Sequence, residues 1–244
     1  MIRTLMVRGL LLGLLAGLVA GGFAFVFGEP RIDSAIALEE AATAEAAGSE
    51  PEPAGHSHEI SRPVQKAGLF LATGLYGLAI GGVFALVYAG LRGRVGPRNE
   101  GGLALSAAGM AFVAIILVPF LKYPANPPAV GDPATINDRT FLYVVMVLVG
   151  LAATAIAVAV ARRITAGSWQ RWIGAVAAFL VPVIAAWVVL PTVDEVPEGF
   201  PASLLWEFRV ASLGTHLVFW AAFGVLFGWV SDRAARRAEA LAAA

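Results

Sequence analysis

Six long stretches without a charged side chain dominate this sequence of 244 residues. Each contains 20 to 25 residues, and all aspartate, glutamate, lysine and arginine residues lie in the intervals between them or at the chain ends. A helix rises about 1.5 Å per residue, so about 20 apolar residues cross a hydrocarbon core about 30 Å thick. We therefore predict an all-α integral membrane protein, with a single membrane domain over residues 1–244 and six transmembrane helices at 9–28, 67–91, 101–121, 140–161, 172–193 and 210–231.

The alternative of six buried helices in a soluble protein disagrees with the composition. Only 14% of the residues are charged and 59% are hydrophobic, whereas about a quarter of a soluble domain is charged. Six helices that are apolar on all sides would leave a chain of this size without a polar surface. The first stretch also exceeds the apolar run of about 7–15 residues in a signal peptide, and no clear Ala-x-Ala cleavage site follows it. We interpret it as a retained span.

The charges between the stretches predict the orientation. When alternate intervals are assigned to opposite sides, one side has eleven basic and three acidic residues, and the other has six basic and fourteen acidic residues. Loops rich in lysine and arginine remain in the cytoplasm. Both termini and the loops at 92–100 and 162–171 are therefore predicted to be cytoplasmic, and the segments 29–66, 122–139 and 194–209 are predicted to face outwards.

The first outward segment, residues 29–66, is predicted to be a long, acidic and partly flexible periplasmic loop. Residues 32–47 are rich in alanine and glutamate, which is typical of an exposed helix, and residues 48–55 (GSEPEPAG) are typical of a flexible, partly extended chain. His56, His58 and Glu59 follow. Two imidazoles and a carboxylate suit borderline divalent metals such as cobalt, nickel or zinc, so these three residues are candidate metal ligands.

Small residues recur every fourth position in the first two stretches. The repeats are Gly9, Gly13, Gly17 and Gly21 in the first stretch, and Gly77, Gly81, Ala85 and Ala89 in the second. Small residues on one face allow helix backbones to approach closely in lipid, where packing drives association. This spacing predicts either that the first two helices form a tight pair or that one of these glycine faces contacts another copy in an oligomer.

Two prolines lie within predicted spans, Pro119 near the end of the third and Pro182 inside the fifth. Proline has no N–H, so each leaves a carbonyl oxygen without its helical hydrogen bond. We therefore expect both helices to be bent.

The membrane interior contains a single candidate for metal chemistry. Buried ionisable side chains usually mark ion pathways because their burial is costly, and no Asp, Glu, Lys or Arg lies inside any of the six stretches. His216, in the sixth stretch, is the only strongly metal-coordinating side chain within them. It is either a neutral imidazole bonded to a neighbouring carbonyl or a ligand or gating group.

Oxygen-bearing side chains in the other two outward segments complete the set of candidate ligands. Acidic loops braced by proline at a membrane entrance concentrate cations. The same charges are also explained as solvated loop groups that satisfy the orientation rule. The candidates here are Asn126, Asp132, Asp194, Glu195 and Glu207.

Several classes of function find no support. The chain has no cysteine, which excludes disulfides, thiolate metal sites and thiol catalysis. It also has no Walker A sequence, no His-Glu-x-x-His motif and no nucleophile elbow. We predict that the protein is not an enzyme, has no catalytic residues, holds no permanently bound cofactor and has no nucleic-acid partner.

The outward segments resemble a known family. The motifs are KYPANPP at 122–128 and Gly-Asp-Pro at 131–133, followed by Leu-Pro at 190–191, Glu-Val-Pro at 195–197 and the run from Leu205 to Gly214. On these motifs the whole chain resembles CbtA, a family of predicted cobalt transporter subunits. The resemblance implies a multi-pass protein of the bacterial cytoplasmic (inner) membrane that takes part in cobalt uptake linked to cobalamin synthesis. It also implies Co²⁺ as the transported ion and a small single-span partner with a His-rich terminus, CbtB.

Two functions are consistent with these features. In the preferred one, the outer carboxylates and the histidines of the first loop collect Co²⁺, which then passes near Asn126, Asp132, Glu207 and His216 through a gap that CbtB completes. In the alternative, the chain is a non-transporting membrane scaffold or assembly factor. Its outer loops would then dock a partner, with Phe200, Trp206 and Phe208 as contact anchors.

Overall fold

The computed structural model describes residues 2–46 and 61–243, and these residues are mostly helical. Their α-helices are α1 (Ile2–Phe27), α2 (Glu29–Ala46), α3 (Arg62–Leu91), α4 (Glu100–Lys122), α5 (Ile136–Arg163), α6 (Ser168–Val189) and α7 (Ala202–Ala242). A 3-10 turn at Pro133–Thr135 precedes α5. Every helix except α2 is long and apolar enough to cross a membrane. The predicted all-helical fold with six spans is confirmed.

The packing of the helices gathers the predicted outward segments at one end of the bundle, here called the outer end. Ion pairs within these segments are Arg31–Glu207, Arg62–Glu29, Arg62–Asp33, Lys66–Asp33 and Arg139–Glu195. At the opposite end, Arg92 pairs with Glu100 at 2.5 Å. None of these pairs joins the two ends, so the fold reproduces the alternation inferred from the charges. Which end faces the cytoplasm remains a prediction.

Helices α1 and α3 pack against each other in opposite directions through their small residues. A Cβ atom added to Gly13 would overlap the carbonyl oxygen of Gly77, and one added to Gly81 would overlap that of Gly9. The two backbones are therefore in direct contact, as small residues permit in lipid. Of the two predicted uses of the glycine faces, the structure contains the tight pair within one chain.

The helix α2 is attached to the outer end at its beginning. Arg62, at the start of α3, pairs with Glu29 at 2.7 Å, and Glu29 is only 7% exposed. Hydrogen bonds from Lys66 and Arg62 hold the pKa of Asp33 below its ordinary value. The exposed helix predicted over residues 32–47 is thus present and begins three residues earlier, at Glu29. The predicted flexible stretch at 48–55 lies outside the described residues, as do His56, His58 and Glu59.

The backbone of α4 departs from regular geometry just before Pro119. Residues Val113–Leu117 form a π-helical turn, and Pro119 has no N–H to donate to the carbonyl of Ile115. The Tyr143 hydroxyl of α5 donates to that carbonyl at 3.4 Å. This long contact from a neighbouring helix compensates only in part for the missing hydrogen bond. By contrast, α6 continues as one α-helix through Pro182.

Most helix ends differ from the predicted span boundaries, including the end of α6 and the beginning of α5 at the outer end. The helix α6 ends at Val189 instead of residue 193, because Leu190 precedes Pro191 and adopts an extended ψ of 145°. A residue before proline is driven out of the helical region by steric contact. The helix α5 begins at Ile136 instead of residue 140, so Arg139 belongs to its first turn.

An aromatic core fills the bundle between the middle of α7 and the end opposite the outer end. Its members are Phe84 and Tyr88 of α3 with Phe219, Trp220, Phe223 and Phe227 of α7, and all of them are buried. Near that end, the Asp232 carboxylate of α7 accepts a hydrogen bond from the Gly101 N–H at 2.7 Å. This contact satisfies one of the free N–H groups at the start of α4. The bundle is therefore closely packed on this side of His216.

Candidate functional site

A polar cavity of about 360 Å³ lies at the outer end of the bundle. It is bounded by the end of α4 with the loop that follows it, the beginning of α5 and the beginning of α7. Its polar lining includes Asn126, Arg139, Tyr143, Arg209, Ser212 and His216. We refer to it as the outer cavity.

Arg209 fixes the loop after α4 to the first part of α7. Its Nη2 donates to the Asn126 side-chain oxygen at 2.9 Å, and its Nε donates to the Ala125 carbonyl at 3.3 Å. Both acceptors are neutral, and Arg209 forms no ion pair with any described carboxylate. The exposed Asp194 acts on it only through a longer-range electrostatic attraction. The guanidinium is half-buried in the cavity wall.

Glu195, in the loop between α6 and α7, binds to the loop that follows α4. Its carboxylate accepts hydrogen bonds from the Thr135 hydroxyl at 2.5 Å and from the Asp132 N–H at 3.1 Å, and it lies 3.3 Å from Nε of Arg139. The Thr135 hydroxyl, the Asp132 amide and the Arg139 charge together hold the pKa of Glu195 below its ordinary value. The Asp132 carboxylate in turn accepts from the Ala134 N–H at 2.8 Å. Both carboxylates therefore already have partners within the loops.

His216 lies at the membrane side of the outer cavity and also borders two further cavities. One, of about 290 Å³, lies between α1, α3 and α7 and includes Tyr76, whose ring centroid is 6.1 Å from that of the imidazole. The other, of about 170 Å³, lies next to the start of α2. The described residues form no hydrogen bond with the imidazole. The hydrogen bond to a neighbouring carbonyl that the sequence also allowed is thus not present among these residues, and the role of the imidazole remains a prediction.

The structure brings Asn126 and His216 into one cavity and places the other described candidates elsewhere. Glu207 pairs with Arg31 at 3.3 Å, Asp194 is exposed, and Asp132 and Glu195 are occupied by loop contacts. The described residues contain no group of three His, Asp or Glu side chains close enough to hold a metal ion. The roles of the individual candidates as ligands remain predictions.

Sequence reasoning did not assign Arg139, Tyr143 or Arg209 to the site. The arginines directly precede the fourth and sixth uncharged stretches. A cation at the start of a span is ordinarily explained by snorkelling towards the membrane surface. Their position in a common cavity wall depends on which helix faces meet, and no motif in the sequence marks that.

Six long apolar helices with a polar cavity at one end are the architecture of a multi-pass membrane protein. The chain belongs to the CbtA family, described as a probable cobalt transporter subunit, whose model matches residues 2–232. The resemblance carried by the outer segments is thereby confirmed. No curated protein and no solved structure gives a match to the chain.

Proposed function

We propose that this chain is the membrane subunit of a cobalt uptake transporter linked to cobalamin synthesis. It resides in the bacterial cytoplasmic membrane with both termini in the cytoplasm. The observation that carries the proposal is the outer cavity, which leads from the predicted periplasmic side to His216 in a chain of a cobalt transporter family. Imidazole nitrogen is a ligand that suits Co²⁺, whereas the Asn126 side-chain oxygen accepts a hydrogen bond from Arg209.

The outer cavity alone supplies an incomplete set of metal ligands. Asn126, Ser212 and His216 line it, whereas a divalent ion that sheds its water needs several ligands at once. This supports a second subunit that supplies the remainder, for which we propose CbtB, the small single-span protein with a His-rich terminus. The aromatic core lies beyond His216, so passage of the ion also requires that core to move or the partner to complete the route.

The first outer loop and the acidic loops contribute before the ion reaches the cavity. His56, His58 and Glu59 capture Co²⁺ on the outer side. At the outer end the exposed Asp194 attracts cations, whereas the charges of Glu195 and Glu207 are compensated by Arg139 and Arg31.

Cobalt accumulation in cells that express the chain with and without its partner tests the proposal. We expect accumulation only when both are present, and we expect His216→Ala to lower it at least about tenfold, since even groups that support a metal ligand contribute about 10–100-fold to metal affinity. The matched control is Leu217→Ala, the neighbouring residue of α7, which is 51% exposed on the helix surface. No accumulation with both proteins present would contradict the transport function. Full accumulation by His216→Ala would remove the imidazole from the route.

One observation favours the alternative of a non-transporting scaffold or assembly factor. Trp206, near the outer end of α7, is 69% exposed. An exposed tryptophan at a span boundary either lies in the membrane interface or anchors a partner. A partner that co-purifies with the chain and is lost in Trp206→Ala, in the absence of any cobalt accumulation, would establish the scaffold function.

A further inference from the structure

The charge of the outer cavity does not match a bare divalent cation. The ionisable side chains that line it, tyrosines aside, are Arg139, Arg209 and His216, and no carboxylate is among the lining residues. Charges of the same sign repel strongly in a space that is partly screened from water. These side chains would therefore repel a bare cation in the cavity.

The two arginines differ in how their charge is compensated. Arg139 lies beside Glu195, with Nε 3.3 Å from the carboxylate oxygen. Arg209 donates two hydrogen bonds, both to neutral oxygens, although a guanidinium has five N–H donors. The exposed Asp194 attracts it only over a longer distance. A half-buried cation at a membrane boundary without a direct ionic partner is costly, and an anion in the cavity would offset that cost.

We propose that the outer cavity binds a small carboxylate-bearing anion, with the Arg209 guanidinium as its principal contact. The planar donor fork of arginine matches a carboxylate and binds it through two parallel hydrogen bonds. Arg139 contributes further positive charge, and the Ser212 hydroxyl lies in the same wall. The volume of about 360 Å³ is within the range of about 300–1,000 Å³ that is typical of small-molecule sites.

The part of this inference that concerns cobalt rests on the proposed function, and it specifies the substrate class of the transporter. Carboxylate oxygens of the anion supply part of the ligands that the cavity walls lack, in addition to those of the partner subunit, so cobalt enters as a carboxylate chelate with His216 available as a nitrogen ligand. The carboxylate site itself does not depend on transport, because it follows from the arginines alone. The bound anion is either a free carboxylate or the carboxylate of the cobalt chelate.

Calorimetric titration of the purified full-length chain in detergent tests the site, with citrate, an equimolar cobalt–citrate mixture and free Co²⁺ as the three probes. We expect both citrate probes to bind. Arg209→Gln is expected to weaken that binding at least about tenfold, the effect of losing one charge-assisted contact. Arg209→Lys keeps the charge but not the fork, so it should bind citrate with intermediate affinity. The matched control is Arg31→Gln, because Arg31 lies at the same end but pairs with Glu207 outside the cavity.

The outcomes separate the site from the transport function. Equal citrate affinity in the wild-type protein and Arg209→Gln, or no citrate binding to a folded wild-type protein, overturns the carboxylate site. Tighter binding of cobalt–citrate than of citrate, with the difference lost in His216→Ala, identifies the chelate as the ligand. Equal binding of the two identifies the free carboxylate and overturns the chelate as the substrate class. Normal citrate binding in a chain that accumulates no cobalt with its partner contradicts the proposed function and leaves the carboxylate site standing.

Discussion

Gly81→Ala is expected to destabilise the protein by about 3 kcal/mol, although it adds only one methyl group. The new Cβ atom would overlap the Gly9 carbonyl oxygen and lie 2.9 Å from Cα of Gly13. Both are backbone atoms, which cannot rotate away as the end of a side chain can. The helix α1 would therefore have to move away from α3, and the backbone contact between them would be lost. We place the cost at the upper end of the usual range for overpacking, about 1–3 kcal/mol, for this reason.

Unfolding in mixed micelles, followed by circular dichroism, measures this effect. Gly90→Ala is the matched control, because it adds the same methyl group to the same helix where nothing lies within 4 Å. Alanine is favoured over glycine inside a helix by about 0.5–1 kcal/mol, so Gly90→Ala should be as stable as the wild-type protein or more stable. Gly81→Ala is therefore expected to lower the free energy of unfolding, and Gly90→Ala to leave it unchanged or raise it. Equal stabilities would show that α1 and α3 do not meet through these glycines.

Phe223→Ala is expected to be the most damaging truncation in the aromatic core, with a loss of about 3 kcal/mol. Phe223 is fully buried, and its ring centroid lies 4.9 Å from that of Phe84, 5.6 Å from that of Phe227 and 5.9 Å from that of Phe219. In soluble proteins such truncations cost about 3–5 kcal/mol. In lipid the transfer part is smaller, because the surroundings of the unpacked helix are also apolar. The cost of the lost packing contacts and of the cavity applies in lipid as well. The expected loss of stability is therefore at the lower end of that range.

The same unfolding measurement tests Phe223→Ala against Leu217→Ala. Leu217 lies on the same helix but is 51% exposed on its outer surface, so its truncation removes few contacts within the bundle. We expect a change below about 1 kcal/mol for Leu217→Ala, as for most substitutions away from packed sites. A similar loss in both variants would mean that α7 does not present the Phe223 face to α3.

The fold was largely predictable because its determinants are local in the sequence. The length of an uncharged stretch fixes whether a helix spans the membrane, and all six spans are present. The spacing of Gly13 and Gly77 within their helices also predicted the tight pair of α1 and α3 as one of two uses of these glycine faces. Irregular features were harder to place. No motif in the segment marks the π-helical turn before Pro119 or the contact that Tyr143, a residue of another helix, makes with it.

The candidate site was predicted less completely because it depends on contacts between distant segments. Glu195 looked like a free carboxylate, yet it binds Thr135, which lies 60 residues away in the sequence. Spans that are apolar on all sides also give no amphipathic pattern to indicate which face lies inside the bundle. Arg139 and Arg209 therefore could not be assigned to one cavity wall. His216 was identified because an imidazole inside an uncharged stretch is conspicuous in composition alone.

Single-cysteine labelling in intact cells tests the central claim that the outer cavity opens to the outside of the cytoplasmic membrane. The natural chain has no cysteine, so Ser212→Cys in the cavity wall and Ala240→Cys near the carboxyl end of α7 each provide one reactive thiol. A membrane-impermeant maleimide is expected to label Ser212→Cys in intact cells and Ala240→Cys only after permeabilisation. Labelling of Ala240→Cys in intact cells, with Ser212→Cys protected, would contradict the orientation of the protein and the outward opening of the cavity.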